Sequence, residues 1–429
     1  MFGNCVEVLA FADRRTGVFL VFLLLPTMSL AAGNDLRSRG LEAIYVDALD
    51  YYQELPALEK EAAAAEFEVK KTFWQFFPNM TYSFNNRFDS NSQSILTLEQ
   101  PVFEFGRHLL DRKVSKSTLK LAQGAIAQSE QELLIAVTES FYQLAASVLR
   151  IEIRRESISE HQRLFELIDR RVSVEKSPSV DRSLAESRLE SAKSALNAEL
   201  SRSQQLQAQL GVYLGYMLVE PAWPVEEEPL DVENPEFLTV GLSANEELNQ
   251  SRRELEVLTE KRKRTEVEVL PSISLVLEKR KGYFDLFDPE ENRGYLKLVY
   301  ETGNGLEKRN NSQAARMREA AGLARVAATE TRMKAQLAAL IYRFTAAAEE
   351  AERSVGLIDS INEVRSSYLR QYTVGRKSWL DVMNVSREWF DARSQGIEWR
   401  RERDAAHWQL KVLAGRINAT MLKSKVSEE

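Results

Sequence analysis

Gln371–Asn384, QYTVGRKSWLDVMN, has a counterpart 200 positions earlier, RVSVEKSPSVDRSL at 171–184. One register holds around the two stretches: Tyr142 aligns with Tyr342, Val174 with Val374, Asp181 with Asp381, Ala192 with Ala392, Leu210 with Leu410 and Gly215 with Gly415. An ungapped repeat of this length means that one structural unit occurs twice. Each stretch interrupts helix-period sequence with turn residues just before an Asp, which predicts a long helix folded back on itself at a tip.

Upstream of each tip the same order recurs. Helical sequence begins near Leu41, becomes regular after Pro56 and stops at Pro78. Met80, Tyr82, Phe84 and Phe88 then alternate with Thr81, Ser83, Asn85 and Arg87, the period-two pattern of a strand with one apolar and one polar face. Asp89–Ser92 supplies a turn and the chain returns through Val102, a β-hairpin at 79–103. From Gly106 no proline occurs until Pro178, which predicts a rod of about 96 Å at 1.5 Å per residue. Leu133, Leu134, Val137, Phe141, Leu144 and Val148 line one side of it at helical spacing. The second half repeats the plan, with a helix from about Asn245, a stop at Pro271, a hairpin at 272–300, Gly303 and Gly305, and a second rod to about Gln371.

The organisation read from this order is a signal segment at 1–32, a first repeat at 33–215 with its tip near 175–180, and a linker at 216–244. A second repeat follows at 245–415 with its tip near 372–378, then a polar, frayed tail at 416–429. The linker holds four prolines (Pro221, Pro224, Pro229, Pro235) with Glu226, Glu227, Glu228 and Asp231 among them, so it is expected to be extended and exposed. Arg14 and Arg15, the apolar run Val18–Leu25 and Ser29-Leu30-Ala31 read as a secretory signal; an uncleaved anchor is the alternative. The only cysteine, Cys5, lies in this segment, so the mature chain has no thiol. Beyond the signal no stretch reads as a membrane helix, and any bilayer contact falls to the strands.

A net charge of -7 excludes a basic nucleic-acid-binding surface, and clusters such as Arg262-Lys263-Arg264 are interleaved with Glu on helices. His108, His161 and His407 have no metal-ligand spacing, and no phosphate loop or nucleophile elbow occurs, so neither an enzyme nor a cofactor is expected. In each repeat the short helix and the return helix, laid end to end, nearly match the rod, which suggests a two-layered cylinder with hairpins at one end and tips at the other. Four strands leave two open edges, and a membrane does not tolerate unpaired backbone in its hydrocarbon. Spanning barrels begin at about 8 strands, so the chain must oligomerise to close one. Phe73, Trp74, Phe76, Phe77, Phe103 and Phe105 would then form an aromatic girdle at a bilayer interface; the alternative is an ordinary core beneath a soluble sheet.

With these features together, the chain resembles the TolC family of outer-membrane export channels, from about Leu41 to Gly415. The likeness rests on the tandem repeat, the helix-Pro-hairpin-Gly order, LTLEQPVFEFGR at 96–107, and Tyr372-x-x-Gly375-x-x-x-x-x-Asp381-Val382. It implies a mainly α fold with a small β part: a homotrimer with a 12-stranded outer-membrane barrel continuous with a periplasmic α-barrel. It further implies a pore constriction at Asp381, with Asn384 where the family archetype has a second Asp. A closed-state latch would join Tyr372 and Asp181, with Lys377 in place of an arginine. A periplasmic adaptor would dock on the tips around Glu175, Pro178, Val180, Gly375 and Arg376, fed by an ABC or proton-driven inner-membrane transporter, with outer-membrane lipid around the barrel. Glu175 departs from the family by replacing the turn glycine. Independently of the resemblance, three copies of Asp381 around an axis would raise at least one carboxyl pKa and favour cations; the alternative is that Asp381 caps the return helix.

The Gly303-Asn304-Gly305-Leu306 stretch resembles family members serving type I secretion of large adhesins, so protein export is the first expectation and small-molecule efflux the second. A soluble periplasmic scaffold or adaptor is the competing class; it would have no use for two alternating hairpins ringed by aromatics.

Overall fold

The computed structural model describes residues 40–86, 92–223, 230, 235–281, 290–301, 303–305 and 307–428. The signal segment with Cys5, the first hairpin turn at 89–91, most of the acidic linker and Leu306 lie outside the described residues.

The first repeat comprises α1 (Leu41–Tyr51), α2 (Glu54–Trp74), β1 (Asn79–Asn86), β2 (Ser92–Phe103), α3 (Arg107–Ser173) and α4 (Ser179–Leu214). The second comprises α5 (Pro235–Ala244), α6 (Glu246–Val267), β3 (Ser272–Lys281), β4 (Glu290–Val299), α7 (Glu307–Thr373), α8 (Trp379–Leu413) and α9 (Ala419–Glu428). The two rods, α3 and α7, have 67 residues each, about 100 Å. Local chemistry sets their ends. Gly106 enters α3 at φ 77°, a left-handed backbone that glycine adopts without a Cβ clash. The Asn245 side chain caps α6 by accepting from Leu248 N at 2.8 Å.

The strands pair antiparallel in the order β1-β2-β3-β4, with Tyr82 opposite Leu96, Leu98 opposite Leu277, and Leu275 opposite Leu296. One face therefore carries Met80, Tyr82, Phe84, Leu96, Leu98, Leu275, Leu277, Leu296 and Leu298. The helices continue the strand order. α3 packs against α2 and α6 towards the sheet and against α4 and α8 towards the tips, while α7 packs against α6 and then α8. This corrects the two-layered expectation: α2 and α4 are stacked end to end, as are α6 and α8, but all lie side by side with the rods in one row. α3 is flanked by these helices on both sides, whereas α7 has α6 and α8 beside it and leaves Leu323, Tyr342, Val355 and Leu357 exposed.

Three cores hold the row together. At the equator α1, α3, α4, α8 and α9 meet around Tyr45, Leu134, Phe141, Leu210 and Trp408. At the tips Leu164 and Ile168 of α3, Ala185 of α4, Tyr372 of α7, and Trp379, Val382 and Met383 of α8 close together. Arg150, buried in α3, bonds Glu199 of α4 at 2.9 Å and Glu398 of α8 at 3.0 Å, and so clamps both return helices onto one rod.

Three expectations change. Residues 235–244 are not extended linker but helix α5, because Phe237, with Leu230 before it, is buried against Leu337, Leu410 and Ala414. The tail does not fray at 418: Asn418 Oδ1 accepts from Met421 N at 2.9 Å, and Ala419 and Leu422 enter the equatorial core. Finally, α3 does contain a stretch long and apolar enough to cross a bilayer by composition, but more than half of it is buried, since α3 has helices on both sides.

Candidate gate and membrane interface

The two tips have the same backbone. After α7, Gly375 N donates to Tyr372 O at 3.0 Å and Arg376 N to Gln371 O at 2.9 Å; after α3, Glu175 N donates to Val172 O at 3.0 Å and Lys176 N to Arg171 O at 2.9 Å. This pair of bonds satisfies the last helical carbonyls and requires a left-handed residue at its centre. Gly375 takes it at φ 77° and Glu175 at φ 57°. Gly375, Arg376, Glu175, Pro178 and Val180 are all exposed, as are Val174 and Val374, so the tips end in a small apolar surface.

Past the turn the repeats diverge. Asp381 forms a capping box with Ser378: its Oδ2 accepts from Ser378 N at 3.1 Å and from Ser378 Oγ at 2.9 Å, and Ser378 Oγ accepts from Asp381 N at 3.1 Å. These donors, the Ser378 hydroxyl first, then its backbone N–H and the nearby Lys377 charge, hold the Asp381 carboxyl below the usual aspartate range. These are effects within one chain; the rise expected from three like charges belongs to the assembly. Asp181 has Pro178 where Ser378 stands, and α4 has no side-chain cap. Asn384 lies one turn beyond Asp381 and is exposed.

Two residues of the expected latch, Tyr372 and Lys377, take part in cation–π contacts at the tip. Tyr372 is 4% exposed, packed among Leu164, Ile168 and Ala185, and the Arg171 guanidinium lies 4.7 Å above its ring. Lys377 lies 4.2 Å over Tyr368 instead. Apolar packing and cation–π contact thus engage the aromatic rings, and no hydrogen bond joins Tyr372 to Asp181 among the described residues. A clasp absent from the sequence reading sits just above: Arg393 bonds Glu156 and stacks at 4.6 Å on Trp389, which also meets Arg365 at 4.1 Å and Phe390 at 4.9 Å. Its partners lie 237 residues apart, a separation at which helical spacing carries no signal.

At the other end Phe73, Trp74 and Phe77 form a ring cluster with centroids 5.2 to 5.9 Å apart, Phe103 and Phe105 pack at 4.7 Å, and Phe76 lies against His108 at 5.5 Å. All six residues are exposed, Trp74 most at 66%. They ring the junction between helices and strands directly below the apolar face of the sheet. Among the described residues no group of three His, Cys, Asp or Glu converges on a point that could hold a metal ion.

An open sheet with an apolar face, an aromatic collar beneath it and two rods ending in paired tips are the features to be compared with known folds. Residues 44–216 match the family model described as outer membrane efflux protein. Among solved structures, a membrane protein from Pseudomonas aeruginosa is 18% identical with a TM-score of 0.77, covering 87% of this chain and 92% of its own. The Campylobacter jejuni outer membrane channel CmeC is 13% identical at 0.78, covering 92% and 90%. The open state of the Neisseria gonorrhoeae outer membrane channel MtrE is 14% identical at 0.73, covering 96% and 98%. Among curated proteins none matches the sequence. Residues 44–216 thus resemble outer membrane efflux proteins, and the fold of the whole chain is the one these channels share.

Proposed function

We propose that three copies of this chain close a 12-stranded barrel, continuous with the helical tunnel, and form the passive exit duct of a tripartite export system. The observation that carries this reading is the pair of open edges, β1 and β4, on a sheet with one face rich in apolar residues, Met80, Tyr82, Phe84, Leu96, Leu98, Leu275, Leu277, Leu296 and Leu298. An inner-membrane transporter, ABC-type or proton-driven, supplies the energy. A periplasmic adaptor docks on the exposed tips around Glu175–Val180 and Tyr372–Ser378. Asp381, with Asn384 beside it, lines the narrowest ring, and the Phe73–Phe77 and Phe103–Phe105 aromatics sit at the periplasmic bilayer interface. The cargo is a protein of the adhesin type, supported by the Gly303-Asn304-Gly305 turn, where Gly303 and Gly305 are both left-handed. The efflux description of the family favours small molecules as the second reading.

The test is conductance of purified protein in a planar bilayer. A small, cation-selective conductance is expected, and Asp381→Asn weakens the selectivity. Within one chain Ser378 and Lys377 favour the ionised Asp381, the other two carboxylates of the ring oppose it, and selectivity is expected to fall as protonation removes the ring charge. Channels whose selectivity ignores Asp381 refute the gate. A preparation that never inserts refutes the duct.

A further inference from the structure

The face of the sheet turned away from the apolar residues carries charges that neither the girdle nor the tip uses. Register sets Val276 between Glu99 and Tyr295, and Ser274 beside Lys297. Successive residues alternate faces, so Glu99, Glu278, Arg280, Arg293, Tyr295 and Lys297 share one side, where the register also sets Glu291 opposite Arg280, and Leu275, Leu277, Leu296 and Leu298 take the other. On that side Lys297 Nζ reaches across β3 to Glu99, 3.3 Å from Oε1 and 3.4 Å from Oε2. Glu278 accepts from the Tyr295 hydroxyl at 2.9 Å and from Arg280 Nε at 3.2 Å and Nη2 at 3.0 Å. Val276 beneath them is 2% exposed, so the long side chains lie along the wall instead of projecting from it.

Half-exposed ion pairs of this kind add little to stability. Inside a water-filled barrel an uncompensated charge acts strongly on passing ions, and residues on the inner wall set selectivity.

We infer that Glu99–Lys297 and Glu278–Arg280 are a second selectivity element, a charge-compensated ladder that keeps the barrel wall electrically balanced and leaves ion discrimination to the tips. The inference rests on the trimeric duct proposed above. With the apolar face towards lipid, each pair occurs three times around the lumen, in rings about 7 Å apart for positions two residues apart along a strand. Lys297 is the determinant, because its removal exposes three Glu99 carboxylates in one ring.

The experiment measures reversal potentials of the full-length reconstituted protein in a planar bilayer under a potassium chloride gradient. Lys297→Gln raises the cation-to-anion permeability ratio about twofold or more. Glu99→Gln lowers it by a similar factor, and the double variant returns to the wild-type ratio. Lys297→Arg, which keeps the charge, leaves the ratio unchanged. Single variants that conduct with an unmoved ratio, or a double variant that does not return, overturn the ladder and leave the duct standing. A wild type that forms no channel overturns the duct, and the ladder with it.

Discussion

Glu175 holds a left-handed backbone, φ 57°, that its repeat partner gives to Gly375. A Cβ in this region crowds the following carbonyl, so the first tip stores about 1 kcal/mol that the second does not. Glu175→Gly is therefore expected to raise thermal stability by about 1 kcal/mol, measured by melting the purified protein. Gly375→Ala is expected to cost a similar amount, through the backbone alone, because nothing lies within 4 Å of the added Cβ. The sequence names both positions, since the 200-residue register aligns them. That Asp381 is capped while Asp181 is not was also open to reading, from Ser378 against Pro178. The Arg171–Tyr372 stack was not, because it joins two rods at a distance no local spacing reports.

Helix against helix, the informative contact is Arg150. It sits in α3 with its side chain 10% exposed and holds carboxylates from α4 and α8 at once. Removing it leaves Glu199 without its cation, while Glu398 keeps Arg401 at 2.8 Å. Arg150→Ala is expected to cost about 3 to 5 kcal/mol, and Glu199→Gln, which keeps a hydrogen-bond acceptor, markedly less; denaturant unfolding of the two variants decides it. Element types were legible because proline and glycine punctuate both repeats at matching places. Helices α5 and α9 were not legible: each is only 10 residues long, in polar or proline-rich surroundings, and each is held by burying a few apolar side chains in a core built by other elements.

For the whole molecule, the open edges of the sheet fix the expected assembly: β1 of one protomer must pair with β4 of the next. The only cysteine lies at position 5, so engineered pairs report cleanly. Thr81→Cys combined in turn with Tyr295→Cys, Lys297→Cys or Val299→Cys is expected to give, at one register, disulfide-linked species ending at three times the monomer mass on a non-reducing gel. All three combinations remaining monomeric would show that these edges do not meet.

Period and punctuation settled the element order, the two repeats, the hairpins and the position of the tips, because helices and strands bury their faces at fixed sequence spacing. Tertiary structure alone decided that the helices lie in one row, that Tyr372 packs against Leu164, Ile168 and Ala185, and that Glu99 meets Lys297 across a strand. Those contacts join residues brought together only after the chain has folded, and the free energy that selects them is burial and charge pairing among elements far apart in sequence.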